Sequence, residues 1–236
     1  MSLSPLQEIF ILLEDEKKVP LYRLNRWGRQ TRGVLGKLKK SEWVEKITEN
    51  EEIFYQITPK GEKSVDKYLK PLKQTGKWDG KWRLVMFDIP EVNRDIRDRL
   101  RRSLSNLGLG ILQASVWISP NDIKDEINEI TKKLDLGNSI KYFEVTRNNN
   151  LDKTIIEKSW NLPELESNYI QFIRKADKIL TNIGKDPNAR FTAKKLIFEY
   201  ALILQKDPIL PSEFRKNDNL RQKADELYLK LRDIIV

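Results

Sequence analysis

Two residue types that carry much enzyme and metal chemistry are missing from this sequence. Its 236 residues contain no cysteine and no histidine. Without cysteine there can be no disulfide and no thiolate metal site, so we expect a cytoplasmic protein. Without histidine, the commonest general base and the commonest metal ligand are lost. These absences favour a binding protein over an enzyme, and any hydrolytic chemistry would depend on other groups, such as carboxylates or an oxygen-bound metal.

Long apolar runs are also missing, so the sequence predicts no membrane-spanning segment. Hydrophobic residues still make up 39% of the chain, which is enough to build a core at this length. The length suits two or three domains. No glycine-rich phosphate loop occurs, so nothing supports an ATP-driven function.

A local excess of positive charge stands out against these absences. The net charge is +9. Between Lys17 and Lys40 there are nine basic residues and no acidic one, so this segment alone accounts for the net charge. Concentrated cations suit a polyanionic partner, because several of them held over one phosphate backbone release counterions together. The alternative for a charge run by itself is a solvated surface.

Residues 1–72 show the pattern of a winged helix-turn-helix domain. Apolar residues at helical spacing predict a first helix over residues 6–13, and Pro20 can open a second, short one. A third helix, after a turn at Trp27 and Gly28, would carry apolar residues on one face and basic residues on the other, which suits insertion into the major groove. A strand over residues 53–57, a turn at Thr58–Gly61 and a final helix complete the winged-helix order.

We predict that this domain binds double-stranded DNA. Cations before residue 27 would anchor phosphates, whereas Arg29, Arg32 and Lys37 would read bases, because the arginine fork matches the guanine edge. Gly33 and Gly36 are unusual inside a helix, and a close backbone approach to DNA or to the preceding helix would explain them. The alternative is a small helical domain that binds protein. The predicted DNA-binding residues are Lys17, Lys18, Arg23, Arg26, Arg29, Gln30, Thr31, Arg32, Lys37 and Lys40.

Residues 78–150 predict a compact central domain. A strand over residues 82–88 precedes a helix that Asn93 can cap and Gly108 can close. Two short strands then fall within residues 109–119, followed by a helix over residues 122–134 and a strand over residues 140–146. This β-α-β-β-α-β order is typical of a ferredoxin-like fold. Residues 71–80 carry the turn residues of a linker.

Asp88 ends the first strand of this domain, where small ferredoxin-like nucleases can hold a metal. An isolated aspartate at a strand end is more often a cap or a salt-bridge partner. The leading interpretation therefore includes no catalytic residue, no metal and no cofactor. The alternative is a metal-dependent nuclease that uses Asp88 with Mg²⁺ or Mn²⁺.

Residues 155–236 predict a helical domain. Its last helix carries apolar residues at a four-three-four-three spacing, which resembles a coiled-coil seam. We favour burial against helices of the same domain over a seam between subunits. The seam positions are Leu220, Ala224, Leu227, Leu231 and Ile234.

The sequence between Trp78 and Pro120 resembles the central domain of the PaaX-like repressors of phenylacetate degradation, from WDGKWRLVMFDIP to ASVWISP. The resemblance covers nearly the whole chain, with further anchors at residues 160–163 (WNLP) and 207–211 (DPILP). It implies a dimeric repressor whose operator affinity is weakened by an acyl-coenzyme-A effector. The central domain of that family is also similar to the small CRISPR-associated endonuclease, and Asp88 falls where that nuclease places its metal aspartate.

Together, the residues and the resemblance predict an α+β protein that works as a homodimeric, DNA-binding transcriptional repressor, released by a small-molecule effector. The predicted domains are a winged helix-turn-helix (1–72), a ferredoxin-like dimerisation domain (78–150) and a C-terminal helical domain that would bind the effector (155–236). We expect no membrane partner.

Overall fold

The computed structural model of the chain combines helices with two small antiparallel sheets, which confirms the predicted α+β class. The structure describes residues 3–69, 72, 78–146, 149–184, 186–208, 210 and 218–235. Contacts divide the chain into a first unit (Met1–Lys73, Ile170–Leu202 and Gln222–Val236) and a second unit (Gln74–Tyr169 and Ile203–Arg221). This division by contacts is not the predicted division into three domains, which stays a prediction.

The N-terminal part of the first unit alternates helices with the strands of a three-stranded sheet. The strand order is β1-β3-β2, and both pairings are antiparallel. The elements are α1 (Pro5–Glu16), β1 (Lys18–Pro20), α2 (Leu21–Leu24), α3 (Gln30–Lys40), β2 (Val44–Glu49), β3 (Glu52–Ile57) and α4 (Pro59–Leu69).

Local sequence explains where these helices begin. At the start of α1, Ser4 and Gln7 form a capping box and Pro5 occupies the first turn. The predicted turn at Thr58–Gly61 is wrong, because Pro59 begins α4 there. The hydroxyl of Thr58 accepts a hydrogen bond from the Gly61 N–H, so Thr58 satisfies a backbone donor that the first helical turn leaves free.

The C-terminal helices are α8 (Leu162–Thr181), α9 (Ala189–Lys206) and α10 (Asp218–Ile235), and each contributes residues to both units. In the first unit, the Phe172 and Tyr200 rings stack with their centroids 4.4 Å apart. The predicted seam of α10 is buried at Ala224, Leu227 and Leu231 within the chain itself, in agreement with the interpretation favoured above. Within the described residues, no helix is long and apolar enough to cross a membrane.

The second unit contains a four-stranded sheet with strand order β5-β6-β4-β7, antiparallel throughout. Up to β7 its elements follow the predicted order, and α7 is an additional helix that was not predicted. The elements are β4 (Lys81–Phe87), α5 (Arg94–Asn106), β5 (Gly110–Gln113), β6 (Val116–Ser119), α6 (Lys124–Leu134), β7 (Ile140–Thr146) and α7 (Asn149–Ser159).

Both faces of this sheet bury apolar side chains. Val85 and Trp117 belong to a cluster that includes residues of α5 and α6, whereas Trp82 and Ile118 belong to a second cluster with Ile156 of α7. Gly108 follows α5 with a φ of +79°, as a helix-ending glycine should.

The predicted capping role of Asn93 is wrong, since its side chain makes no cap hydrogen bond although it directly precedes α5. Of the predicted linker over residues 71–80, only residues 72 and 78–80 are described.

The surroundings of two glycines in the first unit predict that replacement by alanine has opposite effects on stability at the two positions. A Cβ at Gly61 would lie 2.2 Å from the Trp43 carbonyl oxygen, whereas a Cβ at Gly36 would meet nothing within 4 Å. We expect Gly61→Ala to lower the free energy of unfolding by about 1–3 kcal/mol, because backbone must shift. Gly36→Ala should raise it by up to about 1 kcal/mol through helix propensity. Chemical denaturation of both variants measures these changes, and equal stability of the two would contradict the packing around Gly61.

Candidate nucleic-acid interface

Helix α3 has one buried face and one polar face. Its buried residues are Thr31, Val34, Leu35 and Leu38, and the apolar three belong to the core of the first unit. All the cations of α3, and Arg29 directly before it, are exposed. The segment therefore folds as its periodicity predicts, with its cations turned away from the core. The exposed cations are Arg29, Arg32, Lys37, Lys39 and Lys40.

Thr31 is the one predicted DNA-binding residue of α3 that does not face outward. It is only 3% exposed, and its hydroxyl donates a 2.9 Å hydrogen bond to the Leu24 carbonyl. The bond ties the start of α3 to the end of α2. The structure therefore places this side chain in the core of the helix pair rather than on its surface, which corrects the prediction for Thr31. Its predicted neighbour Gln30 is exposed.

Glycine leaves part of the outward face of α3 without side chains. Gly33 and Gly36 lie between Arg29 and Lys40 on one line along the helix, because residues three and four apart share a face. No atom lies within 4 Å of the position that a Cβ would take at either glycine. The idea that these glycines admit the preceding helix is therefore wrong. Close approach to a duplex stays a prediction.

The cations of α3 are also electrostatically unsatisfied. Within the part of the chain that the structure describes, Arg29, Arg32 and the three lysines of α3 form no ion pair with any carboxylate. Five uncompensated positive charges thus lie on or beside a helix of 11 residues. Such a surface attracts a phosphate backbone and gains from the release of counterions when it binds one.

Three of the four predicted phosphate anchors are instead paired with carboxylates. Lys17 Nζ lies 2.8 Å from a Glu62 oxygen and 3.7 Å from Glu14, and its hydrogen bond to Glu62 raises the pKa of the ammonium group. Lys18 pairs with Glu49 on the hairpin.

Arg23 donates two hydrogen bonds to Glu16, one of them 2.7 Å long. Exposed pairs of this kind contribute only about 0–1 kcal/mol. Phosphate can therefore compete with the carboxylates for these cations. The cations of α3, by contrast, have no described carboxylate to be displaced.

Arg26, the fourth predicted anchor, belongs to an aromatic cluster. Its guanidinium lies 3.9 Å from the centre of the Trp27 ring, and burial lowers its pKa. The Trp27 indole N–H and Lys195 both donate hydrogen bonds to Glu8. Burial raises the pKa of Glu8, but these two hydrogen bonds, together with the charges of Lys195 and Arg26, hold the pKa below its ordinary value. Arg26 thus stacks on Trp27, but it remains exposed and forms no ion pair with a described carboxylate.

Sequence reasoning missed the hairpin of β2 and β3 and the exposure of Lys39. Asn50 and Glu51 form the hairpin turn with φ values of 48° and 67°, and asparagine tolerates this left-handed region. Lys46 is exposed on β2, but the residues around the turn include Glu49, Glu51 and Glu52, whose charges repel phosphate. The place of Lys39 in the basic run could have indicated that it is exposed. Asn50 could have indicated the turn of the hairpin.

Asp88 lies outside this surface, in the second unit. Its side chain is exposed, and its backbone N–H donates a 3.0 Å hydrogen bond to the Ser139 carbonyl. Among the described residues, no group of three or more acidic side chains lies close enough together to hold a metal ion. The geometry of one chain therefore gives no support to the alternative of a nuclease centred on Asp88.

Comparison with known proteins agrees with the resemblance noted in the sequence. Residues 75–156 match the family model described as the PaaX protein central Cas2-like domain, and residues 160–236 match the PaaX-like protein C-terminal domain. No curated protein matches the chain.

Among solved structures, the uncharacterized protein Rv0674 from Mycobacterium tuberculosis is similar, with a TM-score of 0.53 and 15% identity over 88% of this chain and 83% of that chain. At this identity the likeness concerns the fold alone. The two family matches together span more than half of the sequence, and the chain therefore belongs to the PaaX-like family, whose domains are typically regulatory.

Proposed function

We propose that the chain is a DNA-binding transcriptional regulator whose N-terminal part is a winged helix-turn-helix. In this proposal α2 and α3 form the helix-turn-helix, α3 is the recognition helix, and the β2–β3 hairpin is the wing. The observation that carries the proposal is the outward face of α3, where five exposed cations have no described carboxylate partner. An α-helix of this kind fits the major groove, where arginine recognises guanine.

The positions of the cations along α3 suggest two different roles in DNA binding. Arg29 and Arg32 lie at the N-terminal end of the helix, which is the end that contacts base edges in helix-turn-helix proteins. Lys37, Lys39 and Lys40 lie at the other end, and lysine suits phosphate as a point charge. Gly33 and Gly36 keep the face between these groups flat, so the backbone can approach the bases.

We also propose that the regulator is a homodimer built on the second unit, whose strand order matches a ferredoxin-like sheet. Register pairs Leu84 with Phe143 and Trp82 with Val145, so these residues share one face of the sheet with Met86. Met86, Phe143 and Val145 remain 41–47% exposed. An exposed apolar face next to β7, which is an edge strand, suits a two-fold contact. Such a dimer would read an inverted repeat.

Repression relieved by a small molecule, which the family resemblance implies to be an acyl-coenzyme A, completes the proposal. A ligand that binds one state of the regulator better than the other shifts the population that is competent for DNA. Family membership supports this part of the proposal.

Arg29→Ala with Arg32→Ala should remove sequence discrimination, because each arginine that reads a base contributes about 1–3 kcal/mol. The measurement is a gel-shift competition between a fragment selected from genomic DNA and bulk DNA. Lys153→Ala with Lys158→Ala, two exposed lysines of the second unit, is the charge-matched control and should bind as the parent does. The specific-regulator proposal fails if no genomic fragment outcompetes bulk DNA, or if the arginine variant keeps its preference.

Gly36→Ala should weaken DNA binding while it stabilises the free protein. The added methyl group would occupy the space between α3 and the duplex, and we expect an affinity loss of about tenfold, equal to about 1.4 kcal/mol. Fluorescence anisotropy at one fixed salt concentration measures the affinity. Since the same variant is expected to resist denaturation better than the parent, misfolding cannot account for the loss. Unchanged affinity would show that this face of α3 does not approach DNA.

Phe143→Glu should convert the dimer to monomers, because it places a charge within the apolar sheet face that we assign to the contact. Sedimentation velocity measures the oligomeric state. Val92→Glu makes the same chemical change at a side chain that is 89% exposed elsewhere in the second unit, and it should leave the dimer intact. A monomeric parent protein, or a Phe143→Glu variant that still dimerises, would refute this part of the proposal.

A further inference from the structure

Helix α5 of the second unit is rich in arginines that the proposed DNA interface on α3 does not use. Five of its 13 residues are arginine and none is lysine. Across residues 107–169 the preference is reversed, with six lysines and one arginine. The planar guanidinium of arginine can donate two parallel hydrogen bonds to one phosphate, which the lysine ammonium cannot do. The composition of α5 therefore favours a phosphate-binding surface over an ordinary solvated one.

The apolar residues of α5 determine which side of the helix is exposed. Leu100 and Leu104 are both 0% exposed, and they belong to an apolar cluster shared with β4 and β6. Because residues three and four apart share a face of a helix, the arginines fall on its other sides. Arg99 and Arg102 are accordingly exposed. The buried leucines thus hold the arginines of α5 away from the core.

In the first half of α5, the arginines are paired with carboxylates. Arg97 Nη1 lies 2.7 Å from a Glu91 oxygen, and Arg94 Nε lies 4.0 Å from an Asp98 oxygen. These pairs offset the positive charge at the start of the helix, so this half offers little net attraction to an anion.

The second half of α5 carries three arginines without such partners. Within the described residues, Arg99, Arg101 and Arg102 form no ion pair with a carboxylate. Arg101 donates a 3.1 Å hydrogen bond to the Ala114 carbonyl, and Arg102 donates one of 3.2 Å to the Asp98 carbonyl. Each bond uses one N–H of a guanidinium that has five, so most of the donors remain available to a ligand.

The chain around these three arginines adds no negative charge. From Arg99 to Asn121 the sequence contains no aspartate and no glutamate. The turn between β5 and β6, which accepts the hydrogen bond from Arg101, exposes three uncharged residues (113–115). Three unpaired cations therefore lie within one turn of helix, beside a neutral turn. We call this surface, formed by Arg99, Arg101 and Arg102, the α5 patch.

The position of the α5 patch excludes two structural roles for its charge. Cations stabilise the last turn of a helix, where carbonyl groups are unpaired, but the last turn of α5 contains no basic residue. The proposed dimer contact does not use the patch either. Met86, Phe143 and Val145 lie on one face of the sheet, and α5 packs against the opposite face. The α5 patch thus stays open in the dimer that we propose.

We propose that the α5 patch is a second DNA-binding surface, which holds the phosphates of duplex DNA without reading their sequence. Contacts to phosphate fix the position of a protein on DNA but carry no sequence information. Their strength comes from the release of counterions, so it depends on salt. DNA binding by the patch is independent of recognition by α3, whereas its contribution to operator affinity rests on the proposed function.

Arg99→Gln with Arg102→Gln tests the patch in the full-length protein and leaves Arg101 in its contact with the turn. The measurement is the anisotropy of labelled duplex DNA over a series of salt concentrations. Each phosphate contact that is lost should lower the slope of log affinity against log salt by about 1, so this variant should lose about 2.

Lys153→Gln with Lys158→Gln is the charge-matched control for this variant. It removes two exposed cations from α7, which packs against the other face of the sheet, and it should keep the slope of the parent. The proposal is overturned if the arginine variant also keeps that slope, or if both variants lose it equally.

Cleavage of DNA by an attached iron chelate tests whether the patch contacts DNA directly. Because the chain has no cysteine, Ser105→Cys provides a single attachment point, exposed and one turn beyond Arg101. Hydroxyl radicals released there should cut the backbone of bound duplex DNA. The same chelate at Lys153→Cys should not cut it. No cutting from position 105, or equal cutting from both positions, would contradict a contact at the α5 patch.

The variants of α3 and α5 separate this proposal from the proposed function. Arg29→Ala with Arg32→Ala should lose the preference for the genomic fragment. The α5 variant should bind all duplexes more weakly and keep that preference. If no fragment outcompetes bulk DNA, but the α5 variant still lowers the salt slope on bulk DNA, the specific regulator is refuted and the patch stands. If the α5 variant keeps its slope on DNA but loses affinity for single-stranded RNA, the partner is RNA and the proposal is overturned.

Discussion

The orientation of α3 depends on how its inner face is anchored. Val34, Leu35 and Leu38 are buried in the core, and Thr31 is tied to the Leu24 carbonyl at the helix start. Because a helix has a fixed period, these anchors determine which residues face outward. If the helix could rotate about its own axis, its positive charges would not be held on one outward face. The buried contacts therefore keep the basic residues together on one exposed surface.

A division between paired and unpaired cations follows from the same anchoring. The carboxylates Glu16, Glu49 and Glu62 lie on neighbouring elements and neutralise cations outside α3. None of them reaches the outward face of the helix, so the residual field of the basic segment concentrates there. Each of these ion pairs is neutral as a whole, so it adds little to the field at long range. In the proposed function, short-range recognition rests on the cations of α3.

The sequence predicts the elements whose apolar residues recur with a strong period. It does not predict the features that depend on contacts between residues distant in the chain. Helix α3 was predictable because its apolar spacing is regular, whereas β1 has three residues and β2 buries only Val44. The burial of Thr31 was not predictable, because a helix N-terminus admits threonine on either face. Ion pairs such as Lys17 with Glu62 join residues distant in sequence, so no local pattern reveals them.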